Sequence, residues 1–199
     1  MRNLPSVACG LVLAACSLFA AGEYSGRRAP GFALPDSNLQ HFDLADYRGK
    51  VVVIEMMSTG CHHCEHFAPT LEKIQQKYGD DVAVLSIVTY PPDSQATVAA
   101  YKAKTKTTVP ILFDCGQVTR VYLKITPLSS QRDLPHVFLI DREGMIRNDF
   151  AYGPDNKAIF EGDGLLAEID KLLGGKVAEP RRSPAPKPQQ NKKGDETKL

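Results

Sequence analysis

From about residue 30 the chain alternates uninterrupted apolar runs with stretches whose apolar residues recur every three or four positions. Residues 51–57 are apolar throughout except for Glu55. A run without polar alternation marks a strand covered on both faces, and residues 82–89 read the same way. Between these runs Phe67, Leu71, Ile74 and Tyr78 line one face of a helix that Gly79-Asp80-Asp81 ends. Pro69, inside that helix, predicts a kink. Upstream, Phe32-Ala33-Leu34 and Phe42-Asp43-Leu44 flank the turn Asp36-Ser37-Asn38 and predict a short hairpin. Arg48-Gly49-Lys50 reads as a turn, and Pro91-Pro92-Asp93-Ser94 as a loop and cap leading into a helix over 95–104. Further on, the pattern predicts a short strand at 111–113, a short helix at 117–123 and a strand at 135–140. The turn Asp141-Arg142-Glu143-Gly144 leads to a partner strand at 145–150, and a single closing helix spans 158–173. Strand and helix alternate through the middle, and a hairpin and a helix close the unit. That order predicts an α/β domain with helices on both faces of a sheet.

The two ends have a different character. Arg2, a short apolar run at 7–15 and the small residues Ala20, Ala21 and Gly22 have the layout of a secretory signal. The run is too short to span a membrane, which takes about 20 apolar residues. Two cleavage readings stay open. Leu13-Ala14-Ala15-Cys16 resembles a bacterial lipobox, which would put a lipid anchor on Cys16; cleavage near Gly22 would discard that cysteine. Either reading sends the domain, expected over 28–173, out of the cytoplasm into the periplasm. Residues 174–199 are rich in Pro, Gln, Lys and Arg with almost no apolar residue, so they are expected to form a disordered, solvated tail.

Composition narrows the chemistry. The 199 residues are 43% hydrophobic, enough for one core. A formal net charge of +1 offers no basis for a nucleic-acid partner. Of the 5 cysteines, Cys9 and Cys16 fall in the leader region, leaving Cys61, Cys64 and Cys115. An odd number cannot close a disulfide framework, and a domain of this size does not need staples. A redox pair fits better. Cys115 is expected to be a small buried residue, with a third redox thiol as the alternative.

Cys61-His62-His63-Cys64 falls where the strand at 51–57 passes into the helix. A cysteine at a helix N-terminus meets unpaired N–H groups and the positive end of the helix dipole, which favour the thiolate. Thiolate is the attacking form. Cys64, one turn on, is placed to close a disulfide behind it. Glu55 would carry a carboxyl into a buried strand, which costs free energy unless the group is neutral or paired. Burial should raise its pKa. A strand-edge glutamate facing solvent is the plainer alternative.

Gly49-Lys50-Val51-Val52-Val53, the C-x-x-C pair and Leu134-Pro135-His136-Val137-Phe138-Leu139-Ile140-Asp141 together resemble the thioredoxin superfamily over about residues 30–172. More narrowly they resemble its extracytoplasmic TlpA/ResA-like group. The resemblance implies a thioredoxin-like fold: a central mixed sheet, helices on both faces and an N-terminal β-hairpin extension. It implies a protein-disulfide oxidoreductase that needs no cofactor, with Cys61 attacking and Cys64 resolving. Pro135 would be the family's cis-proline, with Leu134 and His136 contacting substrate backbone. Glu55 would move protons to and from Cys64. His63, and with it His62, would tune the redox poise. The partners implied are thiols and disulfides of exported proteins, apocytochrome c among them, and a membrane electron donor. Two departures stand out. Reducing members usually carry a pair such as Glu-Pro where this chain has His62-His63, and Gly60 replaces a customary tryptophan.

Two other readings remain open. Cys61, Cys64, His66 and His136 offer thiolate and imidazole suited to zinc or copper, as in a metal-delivery protein. A thiol peroxidase would need Pro-x-x-x-Thr-x-x-Cys, but Ile54 and Ser58 stand at the proline and threonine positions.

Overall fold

The computed structural model describes residues 22–127 and 133–174. The expected leader with Cys9 and Cys16, and the tail beyond residue 174, lie outside these residues. In chain order come β1 (Arg27–Arg28), β2 (Ala33–Pro35), β3 (His41–Asp43), β4 (Val51–Met57), α1 (His62–Tyr78), β5 (Val82–Thr89) and α2 (Gln95–Thr105). Then follow β6 (Ile111–Asp114), α3 (Gln117–Tyr122), β7 (His136–Ile140), β8 (Met145–Ala151), α4 (Lys157–Glu161) and α5 (Gly164–Leu172).

The apolar run of β4 lies mid-sheet because it is covered everywhere. All seven of its residues are buried. It pairs in parallel with β5 and antiparallel with β7. The mixed sheet has the order β1-β8-β7-β4-β5-β6, with β2 and β3 forming the separate hairpin. Alternation along β4 divides the core. Val51 and Val53 pack with Phe67, Leu71 and Ile74 of α1 and with Phe160, Leu165 and Ile169 of α4 and α5. On the opposite face Val52, Ile54 and Met56 pack with Tyr122 of α3 and with Phe32 and Phe42 of the hairpin segment. Full burial of such side chains contributes about 1.5–3 kcal/mol each. α1 is one helix through Pro69, its apolar face buried on both sides of the proline.

Two features differ from the sequence expectation. β1 adds an edge strand whose two residues, opposite Ile146 and Met145, are too short to show a period. The closing helix is two helices. Gly162 and Gly164 weaken helix at the break; Asp163 between them starts the second helix, its carbonyl accepting the Ala167 N–H at 3.0 Å and its side chain bonding Lys73 Nζ at 2.6 Å. A Cβ on Gly164 would come within 2.7 Å of the Ala158 carbonyl oxygen and 2.8 Å of its carbon. Backbone cannot yield cheaply there, so Gly164→Ala should lower stability by about 1–3 kcal/mol, read as a reduced urea midpoint with unchanged slope.

Candidate active site

β4 delivers the chain into a short loop, Ser58-Thr59-Gly60, that is anchored at two points. The Cys61 N–H donates to the Ser58 carbonyl at 3.0 Å. Asp93, buried ahead of α2, accepts the Thr59 N–H at 2.9 Å and the Thr59 hydroxyl as well. Sequence reasoning placed Asp93 in a loop and missed this role; the only signal is a carboxylate beside two prolines. Thus held, Cys61 becomes the N-cap of α1. Its Sγ accepts the Cys64 N–H at 3.2 Å, one of the donors a helix start leaves unpaired. The thiol also lies 3.6 Å from the Leu134 carbonyl oxygen, to which it donates. The Leu134–Pro135 bond is cis, in the loop before β7.

The two thiols are free and differ in surroundings. Cys61 is partly exposed, whereas Cys64 is buried. Burial, then the neighbouring Glu55 charge, push the Cys64 thiol far above the ordinary thiol range. Glu55 shares the face of β4 that meets α1, and it is 1% exposed. Its Oε2 accepts the Ser86 hydroxyl at 2.6 Å from the facing position of β5. Among the described residues Oε1 receives no hydrogen bond. Burial raises the Glu55 carboxyl to about 7, against the opposing pull of the Ser86 bond. The solvent-facing alternative is therefore excluded. Ser86 and Tyr101, whose hydroxyl donates to the Cys64 carbonyl at 2.9 Å, complete this buried group. Neither shows a sequence signal, since each lies in an otherwise ordinary element.

The histidines of the first turn of α1 face outward. The exposed His63 ring stacks on Tyr152, with centroids 4.0 Å apart and planes inclined by 21°, and forms no hydrogen bond with Cys61. His62 and His66 pair on the outer face of α1, Nε2 to Nε2 at 2.9 Å. These three line a groove of ≈ 490 Å³ with Phe67, Thr70, Tyr152, Phe160 and Glu161. His136 is 5% exposed and bonds Asp149 at 3.1 Å. Its backbone lies within the sheet between Met56 and Ala151, whereas the Leu134 carbonyl lies beside the thiol. Burial alone would raise the Asp149 carboxyl, but bonds from His136, the Ser25 hydroxyl and the Tyr24 N–H hold it below the usual range.

The set Cys61, Cys64, His66 and His136 is not assembled. Among the described residues no three His, Cys, Asp or Glu side chains converge as metal ligands. Cys115 corrects another expectation: it is exposed, on the turn between β6 and α3.

A helix-capping thiol, a buried thiol one turn on, a buried acid and a cis-proline loop thus lie together at the end of β4. The sequence profile of the AhpC/TSA family matches residues 25–149. Thioredoxin-like protein YneN of Bacillus subtilis (strain 168) is 28% identical over 128 residues, covering 64% of this chain and 71% of that protein. Thiol-disulfide oxidoreductase ResA of Geobacillus kaustophilus is 31% identical over 126 residues, covering 61% and 66% respectively, so the match spans about two thirds of these relatives. A proposed thiol:disulfide interchange protein DsbE of Chlorobium tepidum superposes with a TM-score of 0.59 at 26% identity, over 73% of this chain and 97% of its own. The exposed lipoprotein thioredoxin of Streptococcus pneumoniae strain TIGR4 shares the fold, with a TM-score of 0.58 at 23% identity over 71% and 99%. The chain belongs to the AhpC/TSA family, in its ResA-like group of thioredoxin-fold thiol–disulfide oxidoreductases.

Proposed function

We propose that this protein exchanges electrons with the disulfides of exported proteins through Cys61 and Cys64, acting as a reductant. The observation that carries the reading is the Cys61 Sγ at the open end of α1, accepting the N–H of a Cys64 that lies buried beneath it. The Cys61 thiolate attacks one sulfur of a substrate disulfide. That S–S bond breaks, and the other sulfur leaves and takes a proton from solvent. Cys64 then passes its proton to the Glu55 carboxylate and attacks Cys61 Sγ. The mixed disulfide breaks, and the substrate's second sulfur leaves reduced. Two electrons have moved from the pair to the substrate.

Cys64 needs this proton acceptor because its buried thiol stays protonated at neutral pH. Glu55, raised to about 7, is poised to accept. The Leu134 side of the cis-proline loop, beside Cys61, offers backbone to an extended substrate segment. The reducing direction rests on what stabilises the Cys61 thiolate. The Cys64 N–H and the helix start do so, but the His63 ring is turned to Tyr152. A less stabilised thiolate makes a more reducing pair. The signal-like first 22 residues support an extracytoplasmic site, with residues 28–173 as the working domain, and the Leu13-Ala14-Ala15-Cys16 stretch supports a lipid anchor on Cys16. Among the described residues no helix is long and apolar enough to cross a membrane. A peroxidase is disfavoured because buried Ile54 of β4 occupies the position where that pattern needs proline.

Cys64→Ser should trap a mixed disulfide on Cys61, seen as an adduct by mass spectrometry, while Cys61→Ser should abolish exchange; equal activity of both variants would refute the assignment. Equilibration in glutathione or dithiothreitol buffers should give a potential below about −230 mV, and a value above about −180 mV would reverse the direction. Glu55→Gln should slow resolution at pH 7–8 without slowing the first attack. It should also change stability in a defined sense. The native state keeps the Glu55 proton up to about pH 7, whereas an unfolded glutamate loses it near 4.3. Stability from this group is therefore full below about pH 4 and lost as pH rises through 7. Glu55→Gln should gain on the parent over that window, by about 3–4 kcal/mol at pH 8, measured by denaturation at both ends.

A further inference from the structure

We propose that His62 and His66 form a chelating site for a tetragonal divalent metal, Cu(II) by preference, on the outer face of α1. The site uses neither thiol and is separate from disulfide exchange. The two residues lie four positions apart in a helix, so their side chains emerge one above the other. Their Nε2 atoms stand 2.9 Å apart. In the metal-free protein one ring donates an N–H and the other accepts it, an exposed bond that water can replace.

The separation is compatible with adjacent positions of a metal's coordination shell. Two metal–nitrogen bonds of about 2.0–2.1 Å drawn to atoms 2.9 Å apart enclose an angle of about 90°. That is the cis angle of square-planar and tetragonal sites, which suit Cu(II) and Ni(II). A tetrahedral site would need the nitrogens about 3.3 Å apart. The order of divalent affinities then places Cu(II) first. Both rings are exposed, with planes inclined by 80°, so they can turn toward a shared ligand without disturbing the core.

The surroundings favour a cation. The Glu65 carboxylate stands 3.8 Å from His62 Nδ1. The same carboxylate bonds Lys104 Nζ at 2.6 Å. A carboxylate this close to the far nitrogen adds negative charge beside the imidazole pair. His62 and His66 both line the groove of ≈ 490 Å³ that also holds Glu161. A metal on the pair keeps its other positions for water or an oxygen donor from that side.

The test removes every thiol. In the full chain with Cys9, Cys16, Cys61, Cys64 and Cys115 replaced by serine, Cu(II) titration should show saturable uptake of one equivalent. Its paramagnetic resonance spectrum should carry the splitting of imidazole nitrogens. His62→Gln and His66→Gln should each weaken binding by about tenfold or more, while His41→Gln leaves it unchanged. Circular dichroism checks that each variant is folded. Absence of saturable uptake, or equal affinity in folded His66→Gln, would overturn the site whatever the fate of the disulfide-exchange reading.

Discussion

The backbone of β4 is bonded on both sides, to β5 and to β7, and its side chains are covered on both faces. Everything at the active site inherits its position from that strand. The pleat decides that Glu55 lies on the α1 face, and the register decides that Ser86 stands opposite it. An ionised carboxylate there is costly: a shift to about 7 corresponds to about 3 kcal/mol at neutral pH. Burial of a single large apolar side chain in the surrounding core contributes a similar amount. The sheet therefore tolerates one misfit group in its centre, and burial there is what brings its carboxyl to about 7.

The asymmetry of the two thiols follows from helix geometry. An N-cap side chain must turn back to meet the exposed N–H groups of the first turn, which keeps Cys61 at the surface. A residue three positions later on the same helix turns inward, so Cys64 is buried against Met57, Ala68 and Tyr101. Between them the helix directs His62 and His63 outward, and His66 joins His62 a turn later. The same geometry separates one chemistry from the other: sulfur and carboxyl lie beneath the helix, imidazoles above it.

The loop that meets Cys61 is braced from behind. His136 follows Pro135 directly and is held by Asp149 of β8, which in turn accepts from Tyr24 and Ser25. The chain ahead of β1 thus reaches the far side of the cis-proline segment. Asp93 does similar work for the loop on the other side of the thiol, through Thr59. Two buried carboxylates from distant parts of the chain set the approach between Leu134 and Cys61.

What the sequence by itself determined is the part governed by short-range periodicity. The continuous run of β4, the helical spacing of Phe67, Leu71, Ile74 and Tyr78, and the C-x-x-C at their junction locate the fold and the reacting pair, because each element is specified by residues near in the chain. Glu55 was legible for the same reason, as one charge in a run of apolar residues. What only the tertiary structure decided depends on where a side chain finds its partner. His63 meets Tyr152, His136 meets Asp149, Thr59 meets Asp93 and the Glu55 carboxyl meets Ser86, across separations that no local pattern encodes. The division of the last helix was read wrongly because apolar spacing continues across Gly162 and Gly164, and the close approach of the Ala158 carbonyl to Gly164 exists only in three dimensions.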